Sequence, residues 1–199
     1  MRWAAQTAQT GLKCFLLWTA PRRTIGGVPV TVTTSDADQQ ASVYEKIAAA
    51  LALLAQFHPR GYRAVRRYMK RVLVAWAPHV HGSWFGPLRL CELSLEFVTH
   101  ARPSEIASTI VHEAMHARLE RLGFDYNQPI RPRLESMCVR KEIEFVEKLP
   151  EASSLLDQLQ HTLSQVAHIW SEVELHKARV SALHTLGAPR WLIRLVDRS

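Results

Sequence analysis

Two histidines and a glutamate stand in the pattern His-Glu-x-x-His at residues 112–116. On a helix, residues four apart share one face, so His112 and His116 would direct two imidazoles toward one point. The distance between two imidazoles placed in this way fits a single metal ion, and Glu113 could act as a base that accepts a proton from water. The pattern predicts a hydrolytic metal centre. The alternative is a pair of core histidines with ordinary hydrogen-bond partners.

The flanking sequence predicts that the motif lies in a partly buried helix. Ser104 suits the N-cap, Glu105 suits the first turn, and Gly123 suits the C-terminal stop. Buried imidazoles need polar partners, which a metal ion would provide. The apolar residues that recur at helical spacing between these ends are Ile106, Ile110, Val111, Ala114 and Met115.

A catalytic zinc ion usually has three protein ligands and one open position. Glu135 follows His116 after eighteen residues and is one candidate for the third ligand. Glu142 and Glu144 remain alternative ligands. All three glutamates would otherwise belong to a solvated helix face with the neighbouring basic residues.

With a glutamate at this spacing, the sequence resembles the gluzincins, thermolysin-like zinc peptidases in which a glutamate on a second helix completes the His-Glu-x-x-His site. The gap is similar to that of the gluzincin aminopeptidases. Residues 133–150 look like the second helix of the compact ImmA/IrrE-type members. The resemblance covers residues 86–150 at most.

This resemblance implies a peptidase in which Glu113 is the general base and one Zn²⁺ per chain is held by His112, His116 and Glu135. Thermolysin-type members often carry an aspartate four residues after the ligand glutamate, where this chain has Val139. Glu142, which returns to the same helix face as Glu135, is the substitute that we predict for orienting a ligand.

The connector between the two predicted helices contains Tyr126, a candidate for polarising a carbonyl or stabilising an oxyanion. The alternative is an ordinary packed aromatic residue. Upstream, residues 88–98 are predicted to form a strand, with a β-bulge near Cys91 where the alternation slips. By resemblance this strand borders the substrate cleft and binds an extended peptide.

The chain has 199 residues, which suits one domain of ordinary size. Its three cysteines show no metal-site or disulfide spacing, so we expect a reducing, cytoplasmic compartment. The apolar run at residues 14–20 is too short to span a bilayer, although association of the N-terminus with a membrane surface stays open.

The net charge of +7 is concentrated in one segment, because no acidic residue occurs from Lys46 to Cys91. Such a segment suits nucleic acid, anionic lipid or an acidic protein as partner. The alternative is a solvated basic helix. The basic residues of the segment include Arg60, Arg63, Arg66, Arg67, Lys70, Arg71 and Arg89.

Local patterns predict an α+β fold: a small, mostly antiparallel sheet, the motif helix and the glutamate helix packed together as a minimal zincin, and a long C-terminal helix. Pro29 favours an edge position for the strand that contains it. The predicted segments are strands at 28–34 and 72–76, helices at 41–57, 62–69 and 152–184, and a loop at 78–87.

The C-terminal helix carries an apolar seam with alternating steps of three and four residues, which would pack on this chain or mediate oligomerisation. Its residues are Leu156, Leu159, Leu163, Val166, Trp170 and Val173. We therefore divide the chain into an uncertain segment (1–24), a zincin-like metallopeptidase domain (25–150) and a helical extension (151–199).

The function predicted from these observations is zinc-dependent hydrolysis of peptide bonds in a peptide or protein substrate. One alternative is a zinc-binding protein without peptidase activity. A second alternative is a basic interaction module that binds nucleic acid or an acidic partner through the segment that begins at Arg60.

Overall fold

The computed structural model describes residues 2–77, 80–124, 130–171, 174, 177, 180–181, 183–184 and 187–190. These residues form an α+β fold of helices around one five-stranded sheet. The helices are α1 (Arg2–Thr19), α2 (Ala37–Phe57), α3 (Pro59–Tyr68), α4 (Leu95–His100), α5 (Pro103–Arg121), α6 (Arg131–Val146) and α7 (Ser153–Ile169). The strands are β1 (Arg22–Ile25), β2 (Val28–Val32), β3 (Arg71–Ala75), β4 (Gly82–Phe85) and β5 (Leu90–Ser94).

The sheet has the strand order β1-β2-β3-β5-β4 and is mixed. The three central strands run parallel, and β1 and β4 pair antiparallel at the two edges. The prediction of a mostly antiparallel sheet is therefore wrong. Parallel neighbours need a long crossover, and helices α2 and α3 provide it between β2 and β3.

The position of Pro29 also differs from the prediction. Strand β2 lies between β1 and β3 and is not an edge strand. Pro29 is tolerated because it pairs with Thr24 in the β1–β2 hairpin, whereas the parallel pairing with β3 begins only at Val30. The edge is supplied by β1, which was not predicted and which crosses the proposed boundary at residue 24.

The predicted strand at 88–98 divides into strand β5 and helix α4. The Ser94 side chain accepts a hydrogen bond from the Phe97 backbone N–H at 3.5 Å and caps the helix. Strand β5 pairs without a break from Leu90 to Ser94, so the predicted β-bulge near Cys91 is absent. The alternation slips because both faces of the strand are buried, with Leu90 on one and Cys91 and Leu93 on the other. The predicted loop at 78–87 contains the edge strand β4, which pairs with β5.

Helix α5, which carries the His-Glu-x-x-His motif, begins at Pro103 with Arg102 as N-cap, so Ser104 is not the cap. The Glu105 carboxylate accepts a hydrogen bond from the Arg102 backbone N–H at 2.6 Å. Proline at the first helical position sacrifices no helix hydrogen bond, because a backbone N–H at that position would have no acceptor within the helix. At the other end Leu122 is the C-cap and Gly123 follows with a positive φ of 84°, so both ends of α5 lie close to where the sequence predicts them.

The predicted helix at 152–184 is interrupted, because α7 ends at Ile169 and Trp170 is its C-cap. Its seam packs against the main core of this chain, with Leu159 and Val166 buried and Leu156, Leu163 and Trp170 partly buried. Val173 lies outside the described residues. The seam is therefore used within the chain, and a role in oligomerisation stays a prediction.

Most apolar residues lie in one core between the sheet and helices α2, α5, α6 and α7. The opposite sheet face carries a small cluster of Leu73, Ala75, Phe85 and Leu90, against which Leu17 of α1 packs. Residues 1–24, which were left uncertain, thus contribute a helix to the second face. Within the described part of the chain, no helix combines the length and apolarity needed to cross a membrane.

Candidate metal centre

Helix α5 presents His112 and His116 on one side, with their ring centroids 4.7 Å apart and the rings inclined by 66°. Helix α6 packs alongside α5 and brings Glu135 and Glu142 to the same place. The structure therefore brings together both motif histidines and two of the three glutamates considered as ligands.

Glu135 is 2% exposed, and its Oε2 atom lies 3.3 Å from His112 Nε2 and 3.6 Å from His116 Nε2. This oxygen makes no hydrogen bond to the described residues. Arg131, one turn earlier on α6, lies 3.7 Å from the other carboxylate oxygen. Three potential ligand atoms thus converge at a buried point, where an unsatisfied carboxylate oxygen is costly.

Glu142 lies on the other side of the His112 ring. Its Oε1 atom is 2.6 Å from His112 Nδ1, and its Oε2 atom accepts a hydrogen bond from the Ser108 hydroxyl at 2.7 Å. Burial opposes charge on His112, but the negative charge of Glu142 and the close contacts of the ring with the Glu135 and Glu142 carboxylates raise the pKa of His112 well above its ordinary value. Without a bound cation, a proton on His112 balances part of the carboxylate charge.

Cys138 lies behind the second histidine, with its sulfur 3.5 Å from His116 Nδ1. Ligand atoms of His112, His116 and Cys138 lie within 4.8 Å of one another, so a His₂Cys set is also possible. The Glu135 oxygen, however, approaches the Nε2 atoms of both histidines, whereas the Cys138 sulfur approaches Nδ1 of His116. Burial, with the charges of His112 and Arg131, keeps the pKa of His116 well below its ordinary value.

Glu113 is 4% exposed, and its Oε2 atom makes no hydrogen bond to the described residues. Burial raises the pKa of Glu113 to about 7; the attraction of His112 lowers it, and the charges of Glu135 and Glu142 raise it. The carboxylate can therefore exchange a proton near neutral pH, as a general base must.

A cavity of about 440 Å³ opens onto the side of the centre formed by His112, Glu113 and Glu142, and its lining does not include His116 or Glu135. Helices α5 and α6 form one wall with His112, Glu113 and Glu142. Leu159 of α7 and Trp170, the C-cap of that helix, form another wall. Strand β4 borders the cavity at Gly82, where an added Cβ would lie 2.6 Å from Thr109 Cγ2 and 3.3 Å from Glu113 Oε1. Glycine thus lets the edge strand approach the candidate base.

The remaining predicted residues lie elsewhere. Glu144 interacts with His58, Lys141 and Lys148, so it does not join the motif histidines. Val139 is buried in the apolar core. Tyr126 lies outside the described residues, so its role stays a prediction.

Four residues near the centre were not predicted. Ser108 lies one turn before His112, Cys138 lies one turn after Glu135, and Arg131 lies one turn before it. Helical spacing alone could have indicated these three, whereas the approach of Gly82 depends on a strand that the sequence did not reveal.

Comparison of the chain with family models, curated proteins and solved structures gives no match.

Proposed function

We propose that this protein is a zinc-dependent hydrolase of peptide bonds. The observation that carries the proposal is the convergence of Glu135 Oε2 on the Nε2 atoms of His112 and His116, at 3.3 and 3.6 Å. The buried oxygen makes no hydrogen bond to the described residues, which is the environment expected of a metal ligand awaiting its cation.

The donor set fits zinc. Two imidazole nitrogens and one carboxylate oxygen form a ligand set known for catalytic zinc sites, and the cavity leaves room for water and substrate. When bound there, zinc would act as a Lewis acid that lowers the pKa of a water molecule and polarises the scissile carbonyl. The cation would also offset the charge of three neighbouring carboxylates, from Glu113, Glu135 and Glu142.

Glu113 would move the proton. Its Oε2 atom would accept a proton from the attacking water and then deliver it to the nitrogen of the leaving amine. Burial raises the pKa of Glu113 to about 7 in the site without a cation. A cation bound beside it would lower that pKa, which would leave the carboxylate ionised and able to accept a proton near neutral pH. Glu142 would hold the Nδ1 proton of His112, which leaves Nε2 as the ligand atom.

The test is the variant Glu113→Gln, measured with a library of fluorescence-quenched peptides and by zinc analysis. We expect hydrolysis to fall by at least about a hundredfold, the range found when a general base is removed, while zinc stays bound. Glu120→Gln is a matched control, because Glu120 is an exposed glutamate of the same helix.

Undiminished hydrolysis in Glu113→Gln would refute the mechanism. A wild-type protein that binds zinc but cleaves no library peptide would favour the non-catalytic zinc protein. Loss of zinc together with activity in Glu113→Gln would mean that Glu113 serves as a ligand and not as a base.

A further inference from the structure

Helix α3 carries exposed cations on one face and packs its other face against α5. Arg60, Arg63, Arg66 and Arg67 are all exposed, and on a helix they fall within about one third of the circumference. Lys70 extends this row just beyond the helix end. Val65 points the opposite way and is fully buried in the core.

The last two turns of α5 add two more exposed cations beside this row. Arg118 lines the same cavity as Arg60, and Arg121 lines a second cavity with Tyr68, at the other end of α3. We call the resulting surface the α3/α5 cationic face. It comprises Arg60, Arg63, Arg66, Arg67, Lys70, Arg118 and Arg121.

The α3/α5 cationic face carries seven positive charges, a number equal to the net charge of the chain. The chain has 25 basic and 18 acidic residues, so without these seven cations the two kinds would be equal in number. Within the part of the chain that the structure describes, none of the seven forms an ion pair.

Two carboxylates line the cavities beside the face, and both are engaged by other groups. Glu120 accepts a hydrogen bond from the Trp84 indole, and Glu144 interacts with Lys141 and Lys148. The charges of the face are therefore available to an external anion.

Two basic residues predicted to belong to this surface have other positions. Arg71 lies in strand β3 and is partly buried. Arg89 donates to the backbone carbonyls of Arg67 and Tyr68 at 2.8 and 2.9 Å, where it caps the end of α3. Arg89 therefore has a structural role at the end of α3, whereas the arginines of the α3/α5 cationic face are exposed to solvent.

We propose that the α3/α5 cationic face binds the phosphate backbone of nucleic acid. Six of its seven cations are arginines, whose planar guanidinium matches phosphate oxygens in pairs. The row from Arg60 to Lys70 spans about 15 Å, over which duplex DNA carries about nine phosphates. A lipid surface fits less well, because the apolar side of α3 is buried in the core and cannot enter a bilayer.

The binding is independent of base sequence, because the face offers charge and no element shaped for a groove. We expect a fluorescein-labelled DNA duplex of random sequence to bind with an affinity that falls steeply with salt. Each phosphate contact contributes about −0.9 to the slope of log affinity against log salt, so four or five contacts give about −4.

Two paired variants test the two helices separately. Arg63→Gln/Arg67→Gln and Arg118→Gln/Arg121→Gln should each weaken binding about tenfold or more and reduce the slope by about two. Arg133→Gln/Arg140→Gln is the matched control, because it removes the same charge from exposed positions on α6. Circular dichroism should show that all three variants remain folded, since exposed substitutions change stability little.

Absence of duplex binding at low salt would overturn the proposal. Equal weakening by the control pair would overturn it as well, because binding would then follow net charge and not this face. Binding to phosphatidylserine vesicles or polyglutamate without binding to DNA would identify another class of partner. Glu113→Gln should retain full DNA affinity, so this proposal and the proposed hydrolysis fail separately.

Discussion

The carboxylate of Glu142 lies 2.6 Å from His112 Nδ1, on the side of the ring opposite Glu135. A carboxylate ion only accepts hydrogen bonds, so this contact keeps a proton on Nδ1 and directs Nε2 toward Glu135. Glu142 follows Glu135 by seven residues on the same helix, and Val139 between them is buried in the core.

Glu142→Gln should weaken zinc binding by about tenfold to a hundredfold, as removal of such supporting carboxylates usually does. Competition with a chromophoric chelator measures the change. Glu147→Gln, an exposed glutamate at the end of α6, provides the control and should bind zinc like the wild type. If Glu142→Gln and the wild type bound zinc equally, Glu142 would not orient a ligand.

Gly82→Ala should destabilise the protein, because the added Cβ would meet Thr109 Cγ2 at 2.6 Å. Overpacking of this kind costs about 1–3 kcal/mol in the free energy of unfolding, which urea denaturation measures. Thr109→Ser removes the opposing methyl group, so Gly82→Ala/Thr109→Ser should recover much of the loss. A double variant as unstable as Gly82→Ala alone would contradict the contact.

Lys13 on α1 forms an ion pair with Glu92 on β5, and its ammonium lies 5.2 Å from the Phe85 ring centre. The two side chains are 6% and 14% exposed. Lys13→Met should therefore lower the free energy of unfolding by about 3 kcal/mol, because Glu92 would stay buried without its countercharge. Lys70→Met, at an exposed position, should change it by less than about 0.5 kcal/mol.

Lys13→Met/Glu92→Gln tests the pairing directly. The double variant should lose less stability than the sum of the two single variants, because each single change leaves one partner without the other. Simple additivity in urea denaturation would show that the two groups do not interact.

His58 should make stability depend on pH. Burial, together with Lys148, lowers the pKa of His58, while Glu144 opposes the shift. The unfolded chain therefore binds the proton first as the pH falls. The stability contributed by His58 is complete above its unfolded pKa of about 6.5 and is lost as the pH falls through its lower folded value.

His58→Gln should accordingly flatten the rise of unfolding free energy with pH in the range just below the unfolded pKa of about 6.5. Glu144 stays ionised across this window, because a hydrogen bond from Lys141 lowers its pKa to about 2. Identical pH profiles for the variant and the wild type, measured by urea denaturation, would contradict this role of His58.

The sequence predicted helix α5 well, because a proline, an acid in the first turn and a terminal glycine bracket a run of apolar spacing. It predicted the strands less well. Strand β4 is four residues long and its neighbours are loop-like, so its pairing depends on β5 and not on local propensity. Leu95 to Val98 satisfied the strand pattern roughly, and only the Ser94 cap distinguishes a helix there.

The residues of the candidate site were likewise predicted only in part. Spacing along a single helix predicted that His112 and His116 share a face, and a resemblance gave Glu135. Spacing from Glu135 also made Glu142 a candidate for orienting a ligand, but the contact of Glu142 with His112 depends on how α5 packs with α6. The approach of Gly82 to Glu113 depends on how α5 packs with β4, and no local pattern encodes it.

The most direct measurement is the zinc content of protein purified without added metal, for the wild type, His116→Ala and Glu135→Ala. The account predicts one zinc ion per chain in the wild type, loss of zinc in both variants, and retention in the control Glu147→Ala. Zinc retained by Glu135→Ala but lost by His116→Ala would exclude Glu135 as the third ligand and favour Cys138. A wild-type protein that takes up no zinc, even when zinc is added, would contradict the account.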